Sequence, residues 1–244
     1  IQDGYVNLSV VAQIGNENSS DVIQTGNGNG SIVLQTGNEN TSEVEQNGDF
    51  NLSLVYQDGN ENFSDVDQDN GDYNGSIVLQ KGDDNESDVD QEDGDYNGSI
   101  VVQLGNDNYS DVDQGDGDYN GSIVLQVGNE NYSDVRQDDG NYNSSFVLQV
   151  GNDNESDVDQ NDGRQNGSGD YNRSFVVQLG NDNDSEVRQE DGGDYNLSIV
   201  AQIGDDNYSD VDQITGGYNQ SLVVQLGNDN DSEVRQEFGD YNAS

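Results

Sequence analysis

Carboxylates recur at fixed spacing through this chain. One series runs Asp65, Asp88, Asp111, Asp134, Asp157 and Asp210, with Asp21, Glu43, Glu186 and Glu233 in the same register. Two residues further on, a second series runs Asp67, Asp90, Asp113, Asp159 and Asp212 and is interrupted by Arg136, Arg188 and Arg235. Such residues could do two kinds of chemistry. Oxygen ligands on a repeating scaffold suit a hard cation such as Ca²⁺, which takes them at about 2.4 Å. Paired carboxylates could also act as general acid and base, but that requires unequal environments inside a cleft, and short uniform repeats offer none. The chain has no Cys and no His, which excludes thiolate and imidazole metal sites and any His-based triad. The expectation is a protein that is not an enzyme and that requires no cofactor, with Ca²⁺ as a possible ligand of the acidic series.

The surrounding composition narrows the class further. Acidic residues number 51 against 6 basic ones, a formal charge of -45 over 244 residues, and only 29% of the chain is hydrophobic. That combination usually marks disorder, because too little apolar surface is available to offset the entropy of folding. A polyanion of this density is repelled by DNA, RNA and anionic membranes alike, so nucleic acid is not an expected partner. No apolar run approaches the ~20 residues of a membrane span, so membrane insertion is not expected either. No charged-then-apolar leader precedes Ile1, so a secreted chain would be in its mature form.

Regular order is what lifts the sequence out of the disordered class. The frame Gln-x-Gly-x-x-Asn-x5-Gln, seen at Gln13, Gly15, Asn18 and Gln24, recurs almost without a break. Two versions alternate. Version A reads like NGSIVLQ (Asn29 to Gln35) and version B like NYSDVDQ (Asn108 to Gln114). Each stretch alternates in character and is bounded by Gly, Asn and Asp, which predicts strand, tight turn, strand, tight turn. The fold class is therefore all-β: a two-sheet β-solenoid of about ten 22–24-residue rungs with uncapped ends, forming a single array over residues 1–244 with a longer turn at 161–171. Stacked rungs place every A strand on the next A strand, about 4.8 Å away, and every B strand on the next B strand.

Side chains alternate across a strand, so Asn, Ser, Val and Gln of N-x-S-x-V-x-Q share one side and the x residues share the other. The constant set predicts the interior, with its amides paired up the stack and few buried polar groups unmatched. Formal Asn-x-Ser glycosylation sequons would then be mostly hidden. Turn glycines such as Gly15, Gly37, Gly105 and Gly180 mark tight arcs that need positive φ.

The outward residues divide by chemistry. A strands carry an apolar stripe that includes Ile77 and Leu79, Ile100 and Val102, Ile123 and Leu125, Phe146 and Leu148, and Phe175 and Val177. Such a stripe predicts lateral pairing of solenoids, or cover by another protein or a membrane. B strands carry the two acidic series, where stacked carboxylates repel by roughly 1 kcal/mol per pair even in water. Ca²⁺ bridging between rungs and a solvated face with loosely held Na⁺ and a few Arg bridges are both open. A third series, Phe50, Tyr73, Tyr96, Tyr119, Tyr142, Tyr171, Tyr195, Tyr218 and Tyr241, predicts aromatic stacking along one edge, with adhesion or electron hopping as further roles.

The coupling of Gln-x-Gly-x-x-Asn to Asn-x5-Gln, met at Gln13-Gly15-Asn18-Gln24, Gln35-Gly37-Asn40-Gln46 and Gln103-Gly105-Asn108-Gln114, resembles the curlin repeat of curli-type functional amyloid. One departure is systematic: from Gln68 onward the B-to-A turn gains a residue, as in QDNGDYN (Gln68 to Asn74). The resemblance implies a secreted homopolymer, the structural subunit of a biofilm or adhesion fibre at the cell surface. The competing expectation is a monomeric or surface-anchored acidic solenoid, serving as an adhesin stalk or a Ca²⁺-binding extracellular repeat protein.

Overall fold

The computed structural model describes residues 1–160, 171–190, 195–237 and 241–244. These residues form twenty-one strands, β1 to β21 in chain order, with no helix among them. The odd-numbered strands, β1 (Gln2–Asp3) to β21 (Asp231–Glu237), make one eleven-stranded sheet of B strands. The even-numbered strands, β2 (Leu8–Asn16) to β20 (Gln220–Leu226), make a ten-stranded sheet of A strands. Each strand pairs in parallel with its counterpart one repeat away: β10 (Gly98–Leu104) meets β12 (Gly121–Val127) with Ser99 on Ser122, Val101 on Val124 and Gln103 on Gln126. This is the two-sheet solenoid that the repeat predicts. The longer turn expected at 161–171 lies, but for Tyr171, outside the described residues; its flanking strands β14 (Ser144–Val150) and β16 (Arg173–Leu179) still pair in register.

The interior has an unusual composition. Its buried hydrophobic residues are all valine, one for each described strand from Val22 to Val223. The remaining inward residues are the Asn, Ser and Gln of the frame, most of them fully buried. Valine suits this place because a β-branched side chain fits the pleat and loses little rotamer freedom there.

The glutamine amides are matched from rung to rung, whereas the Nδ2 groups of Asn97 and Asn120 on the A side are buried without a partner. Gln126 Nε2 donates to Gln149 Oε1 at 3.0 Å, while Gln126 Oε1 accepts from Gln103 Nε2 at 3.0 Å. The same Nε2 also donates to the carbonyls of Tyr109 at 2.8 Å and Asn131 at 3.1 Å, tying the side chain to both sheets. On the B side Gln91, Gln114, Gln137 and Gln160 repeat the pattern at 2.7 to 2.8 Å. Asparagine runs the other way: Asn131 Nδ2 donates back to Asn108 Oδ1 at 2.9 Å and forward to the Gly151 carbonyl at 2.9 Å.

The serines break the expectation that few buried polar groups go unmatched. Among the described residues, eighteen serine hydroxyls, from Ser20 to Ser221, are buried without a hydrogen-bond partner. The reason is reach. Rungs about 4.8 Å apart are bridged by the long amide arms of Gln and Asn, whereas a hydroxyl one bond from Cβ falls short of the next. Ser122→Ala is therefore expected to leave stability unchanged or raise it by up to about 1 kcal/mol, because a desolvated hydroxyl is removed and no bond is lost. Urea unfolding checks this, and a loss of more than about 1 kcal/mol would show that the hydroxyl finds a partner after all.

Candidate functional site

Four strips of side chains run along the stack, two on the sheet faces and two on the turn edges. Each is one position of the rung repeated, so its geometry follows from strand register.

On the B face the register brings the first acidic series into one column. Asp65 pairs with Asp88, Asp88 with Asp111, Asp111 with Asp134 and Asp134 with Asp157; Asp210 follows after Glu186. The second series stacks likewise, Asp67 on Asp90 on Asp113, then Arg136, Asp159, Arg188 and Asp212. The arginines act as bridges within the columns. Arg188 spans two rungs, with Nε on Asp212 at 2.7 Å, a terminal nitrogen 3.3 Å from Asp210, and Glu186 of its own strand paired as well. Arg136 pairs with Asp134. Among the described residues no three carboxylates converge on one point, so the columns are ladders rather than a cage.

Several of these carboxylates hold their protons unusually well. Burial, the largest cause, raises Asp67, Asp88, Asp113, Asp134 and Asp159 to about 6 and Asp90 to about 7. Neighbouring carboxylates add to the effect, and Arg136 opposes it at Asp113, Asp134 and Asp159. Asp65, Asp111 and Asp210 move upward for the same first reason. The folded chain therefore binds more protons than the unfolded chain between about pH 4 and pH 7, and stability rises as pH falls through that window. These groups are partly exposed, so solvent screening leaves only a fraction of each shift as stability. If about 3 kcal/mol survives over the columns, Tm at pH 5 exceeds that at pH 8 by roughly 10 °C. A Tm that falls on acidification would reverse the sign assigned to these columns.

The A face carries the predicted apolar stripe. Ile77, Ile100, Ile123, Phe146 and Phe175 form one column and Leu79, Val102, Leu125, Leu148 and Val177 the next. The structure adds a third that the sequence reading stopped short of, because the strands extend one residue past the inward Gln. Leu104, Val127, Val150, Leu179, Ile203 and Leu226 stack there. The signal was present in the recurrent apolar residue of Gln-x-Gly.

The turn edges are also chemically distinct. On the B-to-A edge, Phe50 and the tyrosines from Tyr73 to Tyr241 form a continuous stack, with centroids 4.8 to 5.1 Å apart and planes within 13°. This is the stacking that the sequence predicts. On the A-to-B edge lies a further acidic column, including Glu17, Glu39, Glu61, Asp84, Asp107 and Glu130, that sequence reasoning did not separate from the turns. Both columns sit in left-handed backbone, with φ of 61° at Tyr119 and 56° at Glu130. Such a conformation costs a non-glycine residue roughly 1–2 kcal/mol. It is held because Tyr119 N–H donates to the Asp95 carbonyl at 3.0 Å and Glu130 N–H to the Asn106 carbonyl at 3.0 Å. Asn27-Gly28-Asn29, where glycine takes the tyrosine position at φ 76°, was the sequence clue to this conformation.

Comparison with known families gives one match. The family described as Curlin associated repeat matches residues 1–26, 15–48 and 37–69, three overlapping segments. The same frame continues in strand register beyond them, through Gln236. No curated protein matches the chain.

Proposed function

We propose that the chain, whose residues 1–69 match the Curlin associated repeat and whose later rungs keep the same frame, is the structural subunit of an extracellular fibre of the functional-amyloid kind. Subunits stack end to end, and solenoids associate laterally through the apolar A face. The observation that carries this reading is the direction of the glutamine ladder. Gln103 donates to Gln126 and Gln126 to Gln149, so the glutamine ladder offers a donor on one side of every rung and an acceptor on the other, while the asparagine ladder is set the opposite way, and the two ends of the stack are complementary rather than alike. A head-to-tail surface of this kind generates an open filament rather than a closed ring when the rotation between units does not close. Ten rungs would advance the filament by about 48 Å per subunit.

The acidic face serves solubility and takes up counter-ions, Ca²⁺ among them, on a fibre that works outside the cell. Dilution into calcium-containing buffer is the test. Growth from the 26.4 kDa chain into filaments with a meridional repeat of about 4.8 Å is the expected result. A species that stays at 26.4 kDa under those conditions would support the solitary solenoid instead. Chelation separates the ion's role from the fibre: unchanged assembly rate and thermal stability would reduce the columns to solvated surface.

A further inference from the structure

The A face is chemically unlike the rest of the molecule. Of its outward positions on the ten A strands, Asp58 is the sole carboxylate and Lys81 and Arg173 the sole cations. Lys81 Nζ lies 3.2 Å from Asp58. A chain of formal charge -45 thus has one sheet face with almost no net charge. Two copies brought together anywhere else would stack like charges, at a cost that grows with every rung. Here they would not.

The face is also large enough to hold a stable contact. Ten rungs at about 4.8 Å and seven residues at about 3.3 Å give a surface of roughly 1,100 Å² per copy. A standard protein interface needs about 800 Å² from each partner.

Its relief selects how the copies meet. A groove of about 730 Å³ runs down one margin over Gly30, Gly75, Gly98 and Gly121, bounded by the isoleucine column. A Cβ at Gly75, Gly98 or Gly121 would meet nothing within 4 Å, so the groove is open to an incoming side chain. The opposite margin is the raised column Leu104, Val127 and Val150, on the same rungs as Gly98, Gly121 and Ser144.

We propose that a second copy of this chain covers the A face, related by a twofold axis parallel to the stack. That operation reverses the strand direction and preserves the rung. It places Leu104 of each copy against Gly98 of the other, Val127 against Gly121 and Val150 against Ser144, while the isoleucine column meets the leucine–valine column. A twofold axis along the strands would instead set Gly98 against Gly121 and leave the groove empty, forfeiting the dispersion contacts that a filled groove makes. The parallel arrangement also keeps both solenoids growing in one direction. It therefore rests on the fibre reading and gives that fibre two strands.

The chain has no cysteine, so thiols can be placed at will. G98C chains and L104C chains are assembled alone and as a mixture, then treated with a bismaleimide spanning about 10 Å, the distance between facing sheets. The expected result is a covalent dimer at least about tenfold more abundant in the mixture than in either variant alone, because like positions lie about 20 Å apart across the twofold. A dimer that appears for G98C with G121C and not for G98C with L104C would overturn the proposed symmetry. Filaments that form with no dimer in either mixture would overturn the pairing and leave end-to-end growth standing. A dimer in the G98C and L104C mixture without filaments would uphold the pairing and count against the fibre.

Discussion

Gly105→Ala is expected to unfold the array or split it at one rung, with a loss above about 4 kcal/mol and a Tm lowered by 10 °C or more. A Cβ at this position would lie 1.8 Å from the carbonyl oxygen of Gly128 and 2.7 Å from its carbon. Both atoms are backbone of the next rung, so no side-chain rotation relieves the clash. The glycine φ of 135° adds a second obstacle, because L-residues with a side chain rarely adopt it. Nor can the rungs separate to make room, since their spacing is fixed by the ladders on both sides. In a nearest-neighbour solenoid the damage falls on one interface and removes the cooperativity across it. Gly98→Ala is the control. Seven residues earlier, its Cβ would meet nothing within 4 Å, and the change is expected to stay within about 0.5 kcal/mol. Denaturant unfolding of the two variants reads the difference directly; equal stabilities would mean that the turns are far looser than this geometry requires.

The contrast between these glycines shows what the sequence makes legible. The Gly105 position recurs as glycine in every A-to-B turn, at Gly15, Gly37, Gly128, Gly180 and their equivalents, and recurrence at one place in a repeat fixes a backbone requirement. The same logic identified the buried Asn, Ser, Val and Gln, the tyrosine stack and the two acidic columns. Each is a position whose character persists from rung to rung. Gly98 belongs to a position that varies through Gly, Leu, Ser, Arg and Gln, and that variation marks an outward surface.

What was not legible depends on reach and dihedral angle rather than on residue type. Tyr119 and Glu130 are ordinary in composition, and nothing in their identity announces left-handed backbone. Their conformation is imposed by the need to close a tight arc while each N–H reaches the carbonyl one rung below. Serine presents the opposite case. Its constancy marked it correctly as interior, yet burial did not bring it a partner, because rung spacing favours longer arms. The third apolar column at Leu104, Val127 and Val150 lies one residue beyond the constant Asn-to-Gln frame that marks each strand in the sequence. One further residue of pairing turned a turn-flanking position into sheet surface.

The ladder argument yields the second large effect, at Gln126. Gln126→Leu keeps the volume and removes the amide, which at present accepts from Gln103 and donates to Gln149 and to the Tyr109 and Asn131 carbonyls. The losses are unequal. Gln103 Nε2 still donates to the Glu86 carbonyl at 2.7 Å and the Asn108 carbonyl at 3.1 Å, and the Asn131 carbonyl still accepts from Tyr109 N–H at 2.8 Å. Gln149 Oε1, however, loses its ladder donor while buried, and an orphaned buried acceptor costs about 1–3 kcal/mol. Adding the bonds removed outright gives an expected loss of about 3–4 kcal/mol. Ser122→Ala, four residues away on the same inward side, is expected to cost nothing. The pair therefore separates interior polarity that organises the stack from polarity that merely occupies it. Gln126→Glu sharpens the point through its sign with pH. A carboxyl buried in the ladder is destabilising when charged, so its folded-state pKa must rise and the variant should regain stability on acidification toward pH 4. Subtracting the parent profile removes the contribution of the aspartate columns, and a difference flat with pH would mean that water reaches the ladder.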